Sequence, residues 1–310
     1  YYCFPLVYGN AIKGGTTNTS AYTSTAPSGT TILSHFINHA GNAITDPYIR
    51  NNADCTPAKA ELVWQDAPNL VTDIKYNNTG NGNISFTVDK NTIRQGNAVI
   101  AIKDAGDNVL WSWHIWIVDN YPTVLDVASQ GGDGPKTVHL MSHLLGAYER
   151  VQSQYSADAY REFGMQYQWG RKDPFPAHDV RVNTNFYNGS GKLFDFLWEQ
   201  RGNDVDYGKT DAQQARGAAL TMKQSIEHPN AIVSHQSFWQ YECFPHGLVS
   251  YFKDRWVFLY PWNRPSQTGN PEDVGGKTVF DPSPYGFRIM SQKEAVTLRY
   301  AYYYACLLYT

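Results

Sequence analysis

The chain has 310 residues, a net charge of -3 at pH 7 with histidine neutral, and no basic stripe, which argues against a nucleic-acid partner. Its longest apolar runs, Val99–Ile102 and Val109–Val118, fall well short of the ~20 residues of a membrane-spanning helix, so no span is expected. Charged residues make up 17% and aromatic residues 15%, which is the profile of a β-rich extracellular protein kept soluble by amides and hydroxyls.

Length favours two domains. Residues 1–58 are rich in Thr, Ser, Asn, Gly and Tyr, and Gly14–Thr31 has the small polar composition of loops and edge strands. Ala60–Val118 is the clearest β region. It holds "AELVWQDA", then "NISFTVD" with Ile84, Phe86 and Val88 alternating against Ser85 and Thr87. "NAVIAIKD" and "NVLWSWHIWIVD" follow, separated by the hairpin turn Asp104–Asn108. In the last strand Trp111, Trp113, Ile115 and Ile117 share one face, and Ser112, His114 and Trp116 share the other. Large side chains on both faces predict a central strand covered on both sides. The economical architecture for residues 1–125 is an antiparallel β-sandwich.

Asp119–Thr123 and Ser129–Lys136 punctuate the chain, and the domain boundary is placed at 125/126. Residues 126–310 read as a mixed α+β domain. Lys192–Arg201 and Thr210–Glu227 have helical character, the latter ended by His228–Pro229. Asp254–Asn263 and Ala301–Thr310 look like strands.

"NGSGKL" (Asn188–Leu193) lacks the first Gly and the last Ser or Thr of a phosphate loop. His35/His39 and His139/His143 have i,i+4 spacing, but neither pair sits in a convincing helix, and on a strand they would lie ~13 Å apart. No twelve-residue calcium loop occurs, and neither metal nor cofactor is expected. Glu61, Asp66, Asp173, Glu199 and Asp281 lie near aromatics and could supply a glycosidase pair, yet no GxSxG or HExxH accompanies them. Cys3, Cys55, Cys243 and Cys306 form no CxxC; two disulfides in three pairings, or four buried thiols, are compatible with them. A start at Tyr1 without Met is what a processed, exported form would show.

Two places suit ligand contact. Trp256, Tyr260 and Trp262 would share one strand face, with Trp262 in the more loop-like stretch. "MQYQWGRKDPFPAHD" (Met165–Asp179) gathers Trp169, Arg171, Lys172 and Asp173 ahead of Pro174 and Pro176. The prolines suit a rigid corner, with Asp173 held extended by the proline that follows it. Arg171 and Lys172 are expected to be the exposed part of that corner, with Arg171 offering a planar fork to a carboxylate or hydroxyl pair. Asp173 would either join the contact or hold Arg171 in place. The candidate ligand-binding residues are therefore Trp169, Arg171, Asp173 and Trp262, and no catalytic residue is assigned.

"CFPLVYGNAIK", "AELVWQDAPNLVTDI", "IRQGNAVIAIKDAGDNVLWSWHIWIVD" and "YQWGRKDPFP" resemble surface proteins of Bacteroidetes, including fimbria-associated ones. "YQWGRKDPF", "MKQSIEHPNAIV" and "KTVFDPSPYGFRI" resemble the Fibrobacter succinogenes major paralogous domain, which is similar to C-type-lectin-like folds. The resemblance spans nearly the whole chain. It implies a non-enzymatic, cell-surface adhesin, a fimbrial tip or accessory subunit, whose partners are a glycan or a host or bacterial surface protein. It implies no cofactor. Only about twenty residues follow "DPSPYGFR", so the second domain is expected to be shortened or differently closed. Two rival readings stand beside it. One is a structural fimbrial subunit joined to other subunits by strand addition, with Ala301–Thr310 as a candidate strand. The other is a surface glycan-processing enzyme.

Overall fold

The alternating segments do form strands in a computed structural model of the chain, which describes residues 1–23, 36–128, 137–148, 164–165, 167, 171–174, 186–187, 193–194, 222–230, 263–265 and 274–289. Among these residues the protein is mainly β, and every ladder is antiparallel. β1 (Tyr2–Pro5) leads to a short hairpin, β2 (Ile12–Lys13) and β3 (Thr16–Thr17). Its two-residue turn is Gly14–Gly15, with φ of +57° and +79°. Both central residues of such a turn need positive φ, which glycine adopts without a Cβ clash.

β4 (Lys59–Gln65), β5 (Thr72–Asn77), β6 (Asn83–Thr87), β7 (Gly96–Lys103) and β8 (Val109–Ile117) follow. A hairpin of β9 (Val124–Ala128) and β10 (Thr137–Met141) comes next. β11 (Phe186–Tyr187), β12 (Leu193–Phe194), the single described α-helix α1 (Met222–Glu227), β13 (Asn263–Pro265) and β14 (Val274–Lys277) complete the order. One sheet runs β1-β6-β5, and a larger one β12-β11-β4-β7-β8.

The two faces expected for β8 are present. Trp111, Trp113, Ile115 and Ile117 pack into the main core with Ile100 and Ile102 of β7 and Ile84 and Phe86 of β6. Phe4 of β1 meets Trp113 edge-on at 5.1 Å, which ties the two sheets together. On the opposite face Ser112, His114 and Trp116 pair across the ladder with Ala101, Val99 and Asn97. That face carries the polar groups. The β7–β8 turn is built as its composition implies: Asp104 Oδ1 accepts from the Gly106 and Asn108 amides at 2.8 and 2.9 Å.

One expectation changes. Leu193 and Phe194, read as the start of a helix, pair with β11 as a strand, because the ladder supplies their backbone partners. The rest of Lys192–Arg201 lies outside the described residues, as do residues 210–221 of the helix expected over Thr210–Glu227, of which the described part is α1. Of Asp254–Asn263 only Asn263 is described, at the start of β13, and Ala301–Thr310 lies outside. The core itself runs across the 125/126 division: Ile226, Val279 and Phe280 belong to the same cluster as Tyr8, Phe36 and Trp111. No helix among the described residues is long and apolar enough to cross a membrane.

Candidate functional site

The polar face of β8 receives the segment that sequence singled out. Arg171, Lys172 and Asp173 are only 1%, 8% and 2% exposed, so the expected surface position of Arg171 and Lys172 is corrected. The cause is local neutralisation. Lys172 Nζ donates to both Asp173 carboxylate oxygens at 2.8 Å each, to the Ser112 carbonyl at 3.2 Å and to Ser112 Oγ. Ser112 Oγ donates in turn to Asp173 Oδ1 at 2.6 Å. The ammonium also sits 4.5 Å from the centre of the Trp111 ring, a cation–π distance. Burial lowers the Lys172 pKa, and the Asp173 carboxylate opposes that shift. With opposite charges in contact and the lysine donors engaged, the pair can leave water.

Arg171 is held differently. Its Nη2 donates to the His228 carbonyl at 2.8 Å and the Ser225 carbonyl at 3.4 Å. These carbonyls close the last turn of α1, where a cation is favoured by the exposed carbonyl dipoles. Burial pushes the guanidinium down to about 10, with Asp173 resisting. Asp173 therefore contacts Lys172 directly and steadies Arg171 only through space. Trp169 and Trp262 lie outside the described residues.

Ser112 beside Lys172 has the residue types of a nucleophile and base. The geometry puts them to another use. The serine hydroxyl donates its hydrogen bond to Asp173, the lysine is tied into an ion pair, and all three side chains are buried. The arrangement is a clamp that fixes the 171–174 corner on β8.

A second polar chain lies further along the same face. Asp66 accepts from the Asn97 amide at 2.8 Å, from Asn97 Nδ2 at 2.9 Å and from the Tyr148 hydroxyl at 2.9 Å. Asn97 Nδ2 also donates to the Gly146 carbonyl, which leaves its Oδ1 to accept from His114 Nε2 at 2.9 Å. His114 is then protonated on Nε2, so Nδ1 accepts from the Tyr167 hydroxyl at 3.0 Å. Desolvation drives His114 down to about 3 and keeps it neutral. Desolvation also raises Asp66 to about 6, against the pull of its three donors. This chain latches residues 146–148 and Tyr167 onto β7 and β8.

The other candidates are placed as follows. Glu61 bridges Lys59 at 2.9 Å and Lys103 at 2.6 Å, and Glu199 lies outside the described residues. Cys55 is buried, with Sγ 3.6 Å from the Tyr8 hydroxyl, 3.4 Å from Asn38 Nδ2 and 3.8 Å from His39 Nδ1. Burial raises the thiol and lowers the imidazole, so this Cys–His contact is a neutral one. Cys3 is exposed, and neither cysteine is in a disulfide. His139 pairs with Asp126 across β9–β10 at 2.6 Å, while His143 lies beyond the end of β10. Among the described residues no three His, Cys, Asp or Glu side chains converge on a metal-sized site.

Asp281 organises a surface loop. Its Oδ1 accepts from the Ser283 amide at 2.8 Å and its Oδ2 from the Ile289 amide at 3.2 Å. Lys277 Nζ donates to the Ser283 carbonyl at 2.5 Å and the Pro284 carbonyl at 3.1 Å. The loop tip carries Tyr285, which is 74% exposed. The Tyr121 hydroxyl donates to the Tyr285 carbonyl at 2.5 Å, and the Tyr121 ring lies 6.5 Å from Phe287. Sequence reasoning passed over Tyr121 and Tyr285. The signal was an aromatic residue at the tip of a Pro–Tyr–Gly turn, where a core role is least natural.

Set against family models, curated proteins and solved structures, the chain finds no match in any of the three comparisons.

Proposed function

We propose that the protein is a non-enzymatic cell-surface adhesin, a fimbrial tip or accessory subunit, that binds a glycan or a surface protein. In this reading residues 1–125 form a β-sandwich for attachment, and residues 126–310 a C-type-lectin-like domain that presents loops to the ligand and shares the core of the first through Ile226, Val279 and Phe280. The observation that carries it is the use made of the charged corner. Lys172, Asp173 and Ser112 spend their hydrogen bonds on one another, and Arg171 donates to the end of α1. A rigid, buried corner suits a scaffold that holds loops in place. The low charge, high aromatic content and antiparallel sheets fit a surface-displayed protein. Arg171 and Asp173 then act on ligand contact from behind, by positioning the loops, while Trp169 and Trp262 remain candidate contacts.

The test is binding of the purified chain to immobilised glycans and to epithelial and bacterial surface-protein extracts. Saturable binding to at least one class, with no turnover of the bound material, is expected. Release of reducing sugar from any bound glycan would overturn the non-enzymatic reading.

A further inference from the structure

Exposed large apolar side chains are scattered over the described surface, but two of them meet: Tyr121 and Tyr285 are joined by the hydrogen bond from the Tyr121 hydroxyl to the Tyr285 carbonyl. They are 58% and 74% exposed. Phe287 stands beside Tyr121, and the Phe287 amide donates to the Pro284 carbonyl at 3.1 Å, closing the turn. The loop beneath is tied at both ends by Asp281 and cross-braced by Lys277. Five hydrogen bonds fix the backbone of this loop, four made by Asp281 and Lys277 at its base and one across the turn itself. A backbone braced in this way leaves less to order when a ligand arrives, which lowers the entropic cost of binding.

We propose that Tyr121 and Tyr285 form a stacking platform for a neutral saccharide. The ligand class follows from size and chemistry. Each fully buried tyrosine contributes on the order of 200 Å². The two partly exposed rings together fall well short of the ~800 Å² that each partner contributes to a standard protein interface. They match one or two pyranose rings, whose C–H faces are apolar and flat. The loop carboxylate, Asp281, is buried and engaged with amides, so it offers no charge to a cationic ligand. Arg288 is the exposed charge of the loop, and its Nη1 donates to the Ile289 carbonyl at 3.1 Å. The platform rests on the adhesin reading and assigns its ligand class and position.

The experiment uses the full chain on an array of immobilised neutral hexose and N-acetylhexosamine oligosaccharides, with sialylated and sulfated counterparts and immobilised surface-protein extracts alongside. Tyr285→Ala is expected to weaken binding to a neutral saccharide at least tenfold, and Tyr285→Trp to retain or strengthen it. Tyr121→Phe, which removes the bond to the Tyr285 carbonyl and keeps the ring, is expected to weaken it severalfold. Far-UV and near-UV spectra of each variant check that the fold is unchanged. Saccharide binding that survives both Tyr285→Ala and Tyr121→Ala would overturn the platform and leave the adhesin standing. Binding confined to protein extracts, or confined to charged saccharides, would do the same. Absence of binding to every surface would overturn both.

Discussion

Lys172 and Asp173 are adjacent in sequence and buried together, which makes their energetics separable by mutation. Removing one partner of a buried ion pair leaves the other charged in a low-dielectric site, at about 3–5 kcal/mol. Asp173→Asn and Lys172→Met are each expected to destabilise the fold by that amount in urea unfolding. The double substitution Lys172→Met/Asp173→Asn should recover a substantial part of the loss, since neither charge then remains. Purely additive losses would show that the two side chains act independently. The Asp66–His114 chain makes a second prediction, through pH. His114 has a depressed folded pKa of about 3, so the unfolded chain takes up its proton first as pH falls from about 6.5, and stability declines through that window. Asp66 has a raised folded pKa of about 6, so between pH 6 and about 4 the folded chain holds the extra proton, and stability rises on acidification. The two slopes have opposite sign and a similar limit, about 1.4 kcal/mol per pH unit each. Their sum is nearly flat between pH 6 and 4. Asp66→Asn should expose the slope due to His114, so that the variant loses stability across this window. His114→Gln should expose the opposite slope. Parallel pH profiles for wild type and both variants would contradict the assignment.

At the scale of elements, the β7–β8 hairpin is the best-specified unit. Asp104 satisfies the Gly106 and Asn108 amides and accepts from Asn108 Nδ2 at 2.9 Å, while Asp107 turns the chain at φ +70°. Asp104→Ala removes three bonds from an exposed turn and is expected to cost about 1–2 kcal/mol. Asp104→Asn, which keeps an acceptor, should cost less; equal losses would show that the turn does not depend on these bonds. This hairpin was also legible in the sequence as two apolar runs around a Gly-containing turn, and in β6 alternation of large apolar with small polar side chains is the strand signal itself. Ile84, Phe86, Trp111 and Trp113 face the core as their parity requires. β5 carried the same signal in Ile74 and Tyr76 but is bulged, with Asp73 at φ +51°, and the bulge breaks the pattern at its start. β1 ends on Pro5, which reads as a strand-breaker until its edge position is known. The candidate site was less legible for a different reason. Three adjacent charges in sequence imply water. What buries Lys172 and Asp173 is Ser112 and Trp111, about sixty residues earlier, and no local pattern contains that pairing.

For the whole molecule the decisive contacts join the first strands to residues 278–281. Asn10 Nδ2 donates to the Thr278 and Asp281 carbonyls at 2.7 and 3.1 Å, and the Val279 amide donates to the Ala21 carbonyl at 2.9 Å. Gly9 passes so close that an added Cβ would lie 2.7 Å from the Val279 carbonyl oxygen, which no side chain can relieve because the neighbour is backbone. Phe280 fills the space between Phe36 and Trp111, at ring distances of 5.4 and 5.3 Å. A fragment of residues 1–125 would thus keep both sheets' central strands but lose Phe280, Val279 and Ile226 from its core, along with the partners of Ser112, Asn10 and Ala21. Losing one buried Phe alone costs about 3–5 kcal/mol, a large share of a typical domain's stability. The fragment is expected to keep β-type far-UV dichroism while losing near-UV signal and binding a hydrophobic dye, the marks of secondary structure without fixed packing. In the full chain, Gly9→Val should reproduce part of that loss by prising 278–281 off the core. A fragment that unfolds cooperatively, with native near-UV signal and no dye binding, would establish residues 1–125 as an autonomous domain and reduce residues 278–281 to a surface attachment.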